Sequence, residues 1–487
     1  MEPRTVQFIV DATGGHLITG DPTRVVTRFC TDSRKLQSGD LFVAIRGERF
    51  DGHKFAAAAC EAGASVVMVQ TGCAPSDAME SAIIEVADTR SAFGALAAAY
   101  RAGFELPVIA VAGSNGKTTT KEILAAMLQQ AGPTLWSEAS FNNDIGVPTT
   151  LLRLEHTHHA LVQEIGTNHP GELRPLIEMV RPRFGVITSI GREHLEHFGD
   201  LSGVVEEEGV LAELLPAEGA LFLNADSDYA AEIRDRTTAR TVLVGTAESC
   251  EWRIDSVRVE PLMTHFTVST SAPGWAGEYC VPMPGAHHAT NATLALALAA
   301  ELGVSNAAAR EGLENVTPPA MRAHYWEVNG VGVLEDCYNA NPDSMSAAID
   351  TLRALPCKGR RFAVLGDMAE LGPDAEEAHR EIGRRIAELG IDILFAVGGM
   401  ASCYAGGARA AGAPVISEFD NAATAGNALV RALGPDDLIL IKASRSARLE
   451  RISTLLRGQP GDDPVRDHEQ NAKDEADGAV IQFDERN

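Results

Sequence analysis

Val108-Ile109-Ala110-Val111-Ala112-Gly113-Ser114-Asn115-Gly116-Lys117-Thr118 reads as an unbroken apolar strand running into a glycine-bounded turn. From Thr119 to Gln130, Ile123, Leu124, Met127 and Leu128 recur at helical spacing. Strand, turn and helix in that order make a phosphate site. The turn exposes backbone N–H groups at the positive end of the helix dipole, where phosphate oxygens are stabilised. Lys117 adds a point charge, and Thr118 a hydroxyl suited to Mg²⁺. The full phosphate-loop spacing asks for glycine at position 111, where valine stands, so the match rests on the shorter form Gly-x-x-Gly-Lys-Thr. That form also occurs in ordinary strand-to-helix turns; the apolar strand before it and the helix after it favour a nucleotide.

The same alternation continues on both sides. Residues 1–104 mix short apolar runs, at 41–44 and 65–69, with alanine-rich helical stretches, and are expected to form a small α/β domain. Residues 105–317 add strands at 160–165, 184–188 and 220–223 between helical segments, the pattern of a doubly wound parallel sheet. After Pro318-Pro319 a third, Rossmann-like α/β unit is expected over 318–457, with strands at 331–334, 362–365, 393–397 and 438–441. Residues 458–487 are acidic and poor in apolar side chains, which predicts a disordered tail. Several domains also follow from length: 487 residues exceed the roughly 250–300 that one core supports.

Composition narrows the function. A formal charge of −26 argues against a general nucleic-acid surface, which needs clustered Lys and Arg. Eight Cys without a CxxC pair, and a start of Met1-Glu2-Pro3-Arg4 without an apolar signal core, argue against disulfides and export. No apolar run approaches the roughly 20 residues needed to span a bilayer. A cytoplasmic enzyme, monomeric by default, is the expectation. Glu164 ends a strand, where ligands of open α/β sheets gather, and fits either a Mg²⁺-holding or an ion-paired carboxylate. His194 follows another strand and fits either a cation ligand or a structural imidazole.

Phe141-Asn142-Asn143-Asp144-Ile145-Gly146-Val147-Pro148, Asp336-Cys337-Tyr338-Asn339-Ala340-Asn341-Pro342-Asp343-Ser344, Leu365-Gly366-Asp367-Met368-Ala369-Glu370-Leu371-Gly372 and Lys442-Ala443-Ser444-Arg445-Ser446 go further. With the glycine loop, they resemble the Mur ligase family over nearly the whole chain to Arg457. The resemblance implies three domains, binding in order a UDP-muramoyl substrate, ATP, and the incoming amine. It implies an ATP- and Mg²⁺-dependent amide ligase of peptidoglycan precursor synthesis, taking UDP-N-acetylmuramoyl-tripeptide and D-alanyl-D-alanine. A carboxylate is a poor acyl donor, so it is first phosphorylated to an acyl phosphate, which the amine then attacks; Lys117 and cations must neutralise the converging charge.

By the same resemblance, ATP is met by Gly113, Ser114, Asn115, Gly116, Lys117, Thr118, Thr119, His287, Asn291, Arg322 and Asp336. Arg322 and Asp336 come from the third domain when it closes. Thr118 and Glu164 hold one Mg²⁺ and His194 a second. The UDP-substrate meets Asp32, Ser33 and Arg34, then Asp51, Gly52 and His53 within residues 47–55, and Asn142 and Asn143. Asp, Ser and Gly in these segments equally suit plain turns. The dipeptide meets Tyr338, Asn339, Asn341, Lys442, Ser444 and Arg445. Lys117, Glu164, His194, Glu208 and Arg322 form the catalytic group.

Two departures stand out. Many relatives carry a CO₂-modified lysine where this chain has Glu208, within Val205-Glu206-Glu207-Glu208-Gly209. Glu208 keeps the negative charge, and it or a neighbour in the Glu triplet is expected to replace that metal ligand, although the shorter side chain demands a shifted helix or a bridging water; a solvated acidic helix face is the alternative. His288 stands where relatives commonly have Asn. Rival readings are a ligase of the same fold acting on another amine or on folate, and an inactive UDP-peptide-binding paralogue.

Overall fold

Alternate residues of the strand Val108–Ala112 face different layers: Val108, Ala110 and Ala112 join one apolar core, Ile109 and Val111 another. A strand buried on both faces lies inside a sheet covered by helices on both sides. The computed structural model describes residues 1–47, 50–78, 80–412 and 415–458. Beyond Gly458, the expected tail lies outside the described residues.

The central sheet has nine strands. From one edge they run Thr134–Trp136, Ala160–Glu164, Val108–Ala112, Phe184–Ile187, Ala220–Asn224, Arg240–Gly245 and Trp252–Glu260, all parallel neighbours. The phosphate-loop helix Lys117–Gln129 and the helix His287–Glu301 cover one face. Thr89–Arg101, Leu173–Val180 and Leu201–Leu214 lie in the core of the other. The doubly wound expectation needs one amendment. Met263–Thr270 and Gly277–Val281 extend the sheet antiparallel. Their cause is visible in Met263–Thr270, where buried and half-buried residues alternate, as in a strand with one wet face.

The first unit is a five-stranded sheet ordered His16–Thr19, Ala82–Val86, Val66–Gln70, Leu41–Val43, Phe29–Cys30, parallel except for its first strand. Its core continues without a break into that of the central unit: Val43, Val66 and Ile84 belong to the same apolar cluster as Val108, Leu161 and Leu211. Helix Thr89–Arg101, capped by Asp88, bridges the two, and Tyr100, fully buried, donates its hydroxyl to Leu154 O at 2.6 Å.

The third unit is a six-stranded sheet ordered His324–Val328, Val331–Asp336, Leu438–Lys442, Arg361–Leu365, Ile393–Val397, Val415–Phe419. Only the first pair is antiparallel. It has its own two cores. The central unit meets it mainly through polar groups. Arg192 donates to Asp343 and Glu381, Asn341 Nδ2 donates to Asn115 Oδ1 at 3.0 Å, and the Tyr338 hydroxyl donates to Ser140 Oγ at 2.7 Å.

Candidate active site

Gly113 and Gly116 turn the chain from strand to helix at φ of 112° and 90°, a region side-chain-bearing residues rarely enter. A Cβ on Gly116 would also lie 2.6 Å from Asn291 Oδ1. The loop is braced from the next strand's end: Ser189 Oγ accepts from Asn115 N at 3.0 Å, and Ser114 Oγ accepts from Gly191 N at 2.8 Å. That bracing carries the segment Gly191-Arg192-Glu193-His194 to the loop's side.

The loop opens into a cleft of about 1230 Å³ between the central and third units. Ser114, Asn115, Gly116, Lys117, Thr118 and Thr119 form its floor, with Asn142, Asn143, Glu164, His194, His287 and Asn291 around them. Arg322, Asp336, Tyr338, Asn339, Asn341, Lys442, Ser444 and Arg445 line it from the third unit. Residues far apart in sequence thus converge as expected, with exceptions that change how some of them work.

Glu208 does not line the cleft. It is fully buried beneath the loop, where its Oε2 accepts from Gly113 N at 2.7 Å. Burial, opposed by Lys117 and reinforced by Glu193, pushes its pKa up to about 8. Through Oε2 Glu208 thus ties down the first amide of the phosphate loop, while its Oε1 is buried without a hydrogen bond. Its neighbours have other duties: Glu207 accepts from Gly171 N and Leu173 N, and Glu206 pairs with Arg236 at the surface. Gly113, its amide spent on Glu208, leaves the cleft lining as well.

Of the residues expected at the two cation sites, Thr118, Glu164 and His194 line the cleft and Glu208 does not, and among the described residues no three His, Cys, Asp or Glu are arranged around a single ion. Glu164 Oε1 accepts from Asn142 Nδ2 at 2.9 Å, and its buried Oε2 lacks a hydrogen bond. His194, at φ 48°, has its Nδ1 bonded to Glu370 of the third unit. That bond holds the Glu370 carboxyl below the usual range.

The first unit reaches this cleft through Asp88, Arg90, Ser91 and Gly94, not through the expected Asp32, Ser33, Arg34, Asp51, Gly52 and His53. Asp32 caps the turn Ser33–Lys35 and pairs with Arg34 at 2.9 Å. Asp51 caps Gly52–Phe55 and binds His53 Nδ1 at 2.6 Å, while His53 Nε2 accepts from Gln70 N at 3.0 Å. Both nitrogens of His53 are committed to local structure. Residues 48 and 49, inside the expected 47–55 segment, lie outside the described residues.

In the third unit, Lys442 is 2% exposed and donates to Asp336 Oδ2 at 2.6 Å and Asn339 O at 2.9 Å. It orients Asp336 rather than standing free for a ligand. Ser444 Oγ ties Ala340 O to Ala369 N. Arg322 lies over the Tyr338 ring at 4.0 Å, between Met321 and Ala323, both at positive φ. The His287 and His288 rings lie 4.0 Å apart, tilted at 49°; His288 is buried, which holds its imidazole well below its ordinary pKa and hence neutral.

Two residues escaped the sequence reading. Lys121, fully buried, donates to Ser137 O and Ala139 O and faces Glu122 at 2.9 Å and Glu164 at 3.8 Å. Its signal was its place four residues after Lys117, on the same helix face. Glu193, 6% exposed, lines the cleft with Oε2 3.5 Å from Lys117 Nζ and 4.0 Å from His194 Nε2. Lys117 itself donates to Gly113 O at 2.5 Å. Burial disfavours its charge, but Glu193, Glu208 and Glu164 together raise its pKa.

A phosphate loop facing a second α/β unit across a polar cleft defines a class of nucleotide-dependent enzymes that complete their site by domain apposition. Comparison with known proteins specifies the class. Residues 26–101 match the Mur ligase family catalytic domain, 111–299 the Mur ligase middle domain, and 321–445 the Mur ligase glutamate ligase domain. The UDP-N-acetylmuramoyl-tripeptide–D-alanyl-D-alanine ligase of Escherichia coli K12 is 36% identical over 456 residues, covering 93% of this chain and 98% of that one. The Bacillus subtilis 168 protein of the same name is 33% identical over 94% of this chain and all of its own. A crystal structure of MurF from Acinetobacter baumannii superposes with a TM-score of 0.86 at 34% identity, over 94% of this chain and 100% of that one. MurF ligase from Thermotoga maritima, in complex with ADP, gives 0.78 at 25% identity, over 89% and 97%. The chain belongs to the Mur ligase family.

Proposed function

We propose that this chain is the ATP-dependent ligase that joins D-alanyl-D-alanine to UDP-N-acetylmuramoyl-tripeptide, giving the pentapeptide, ADP and phosphate in the cytoplasm, where ATP and UDP-linked precursors are available. Support comes from relatives carrying that name over nearly their full lengths, and from one observation above all: the phosphate loop and the third-unit segments Asp336–Ser344 and Lys442–Arg445 share a single cleft. In this reading residues 1–104 bind the UDP-muramoyl end, 105–317 bind ATP, and 318–457 bind the dipeptide.

The loop amides and Lys117 hold the triphosphate, and Arg322, positioned on Tyr338, brings a second positive charge to the phosphoryl group as the tripeptide carboxylate attacks it. Polar contacts across the seam exclude water from the acyl phosphate so formed. Its carbonyl is then open to the dipeptide amine, held near Tyr338, Asn339 and Asn341. The residues present suit Mg²⁺: Thr118 offers a hydroxyl, and Glu164 a buried oxygen without a hydrogen bond. A Mg²⁺ held by these two residues would neutralise charge at the phosphates. A coupled ADP-release assay tests the reading. ADP should appear only when both UDP-muramoyl-tripeptide and D-alanyl-D-alanine are present; turnover with another precursor or amine in preference, or none with any, would overturn it.

A further inference from the structure

We propose that Glu193 is a cation-holding residue of this site, acting beside His194 and filling the anionic role that Glu208 has left. The inference rests on the ATP-binding reading above. Four observations carry it. Glu193 Oε1 is buried in the wall of the cleft and has no hydrogen-bond partner. A buried carboxylate oxygen left without a partner is costly, so such an oxygen beside a ligand cleft points to a missing ligand. Its Oε2 faces His194 Nε2, and His194 has its other nitrogen fastened to Glu370. An imidazole fixed through one nitrogen by a carboxylate, with the other turned to a second anion, is the arrangement that orients a metal-ligating histidine. Glu208, another buried carboxylate near Lys117, has one oxygen on the Gly113 amide and the other unpartnered, but unlike Glu193 it does not line the cleft.

Without nucleotide, Glu193 is balanced by Lys117, whose hydrogen bond goes to Gly113 O. A triphosphate on the loop claims that ammonium and leaves phosphate and Glu193 facing each other as like charges in a site of low dielectric. A divalent cation between them removes the repulsion. Mg²⁺ commonly binds in this way, through one or two protein groups plus phosphates and water. The site therefore needs no cluster of three protein ligands, and none is present among the described residues.

The test is Mn²⁺ binding to the full-length protein, followed by electron paramagnetic resonance with a non-hydrolysable ATP analogue, beside affinity for the same analogue in EDTA. Glu193→Gln should weaken Mn²⁺ in the ternary complex by at least about tenfold, and Glu193→Asp should weaken it less. Wild-type Mn²⁺ affinity in Glu193→Gln, with tighter metal-free nucleotide binding as the sole change, would overturn the proposal and leave Glu193 as a counter-charge to Lys117. Should Glu193→Gln fail to fold, Glu193→Asp carries the test, and an unchanged Mn²⁺ affinity there overturns the proposal. Wild-type protein that binds no ATP analogue at all would instead sink the ligase reading.

Discussion

Glu208 and Gly113, 95 residues apart, are joined by a hydrogen bond of 2.7 Å from the loop's first amide to a fully buried carboxylate. Removing the acceptor orphans that amide, a loss of about 1–3 kcal/mol, or roughly 5- to 150-fold. Glu208→Ala should weaken binding of an ATP analogue by that order. Glu208→Gln, which retains an acceptor oxygen, should lose much less. Titration calorimetry separates them; equal losses would mean that the charge matters and not the acceptor.

Lys121 is the cation on which the loop 137–139 and Glu164 depend. Lys121→Met keeps the volume but leaves two carbonyls and a buried carboxylate unmatched. Loss of one partner from a buried ionic cluster costs about 3–5 kcal/mol, so a lower Tm is expected. A Tm equal to wild type would show that water or Asn142 takes over.

Across the seam, Arg192 binds Asp343 through its backbone N–H and its guanidinium, and reaches Glu381 at 2.7 Å. The side chains are 28% and 39% exposed for Arg192 and Asp343, so solvent screening limits their pairing to about 1 kcal/mol or less. Arg192→Ala should reduce kcat/KM by up to roughly fivefold, with Asp343→Asn adding little on top. A double-mutant cycle in steady-state kinetics measures this, and full additivity would refute the coupling.

His379 is buried, with Nε2 accepting from Met368 N at 3.0 Å and Nδ1 donating to Ala375 O. Burial lowers its folded pKa. The unfolded chain therefore takes up the proton first: His379's contribution to stability is complete above its unfolded pKa of about 6.5 and declines as pH falls below it toward the folded value. Tm measured between about pH 5 and pH 8 should drop on the acid side in wild type and less steeply in His379→Gln. Parallel curves would exclude His379 as the source.

What could be read in advance was local. Strand, glycine turn and helix sit within one continuous stretch, so the phosphate loop needed no knowledge of the rest, and the helix simply starts at Lys117, two residues earlier than its apolar spacing implied. The cleft's third-unit wall was legible through motifs, yet the pairings within it were not: Lys442 lines the cleft with its ammonium on Asp336, a partner 106 residues away that no local pattern shows. Glu208 drew its expected role from the resemblance, as the residue standing where relatives carry a modified lysine. Its actual partner depends on how its helix packs under the central sheet, which spacing does not encode. Glu193 was overshadowed by the histidine next to it. Thr264 and Val281 pair across the antiparallel extension, but their strands lack the unbroken apolar runs that mark buried parallel ones.

The first and central units share one apolar core, whereas the third is joined to them mainly along a polar seam. A shared core ties two units' sequences together, since a volume change on one side must be answered on the other. A polar seam imposes far less. On the proposed assignment of the amine to the third unit, a unit reading a different amine could be exchanged for this one with its interior unrelated, so long as it presents groups equivalent to Tyr338, Asn341, Asp343 and Glu370 at the boundary. The phosphoryl-transfer half is in that sense a fixed engine, and acceptor choice is the part that evolution can replace.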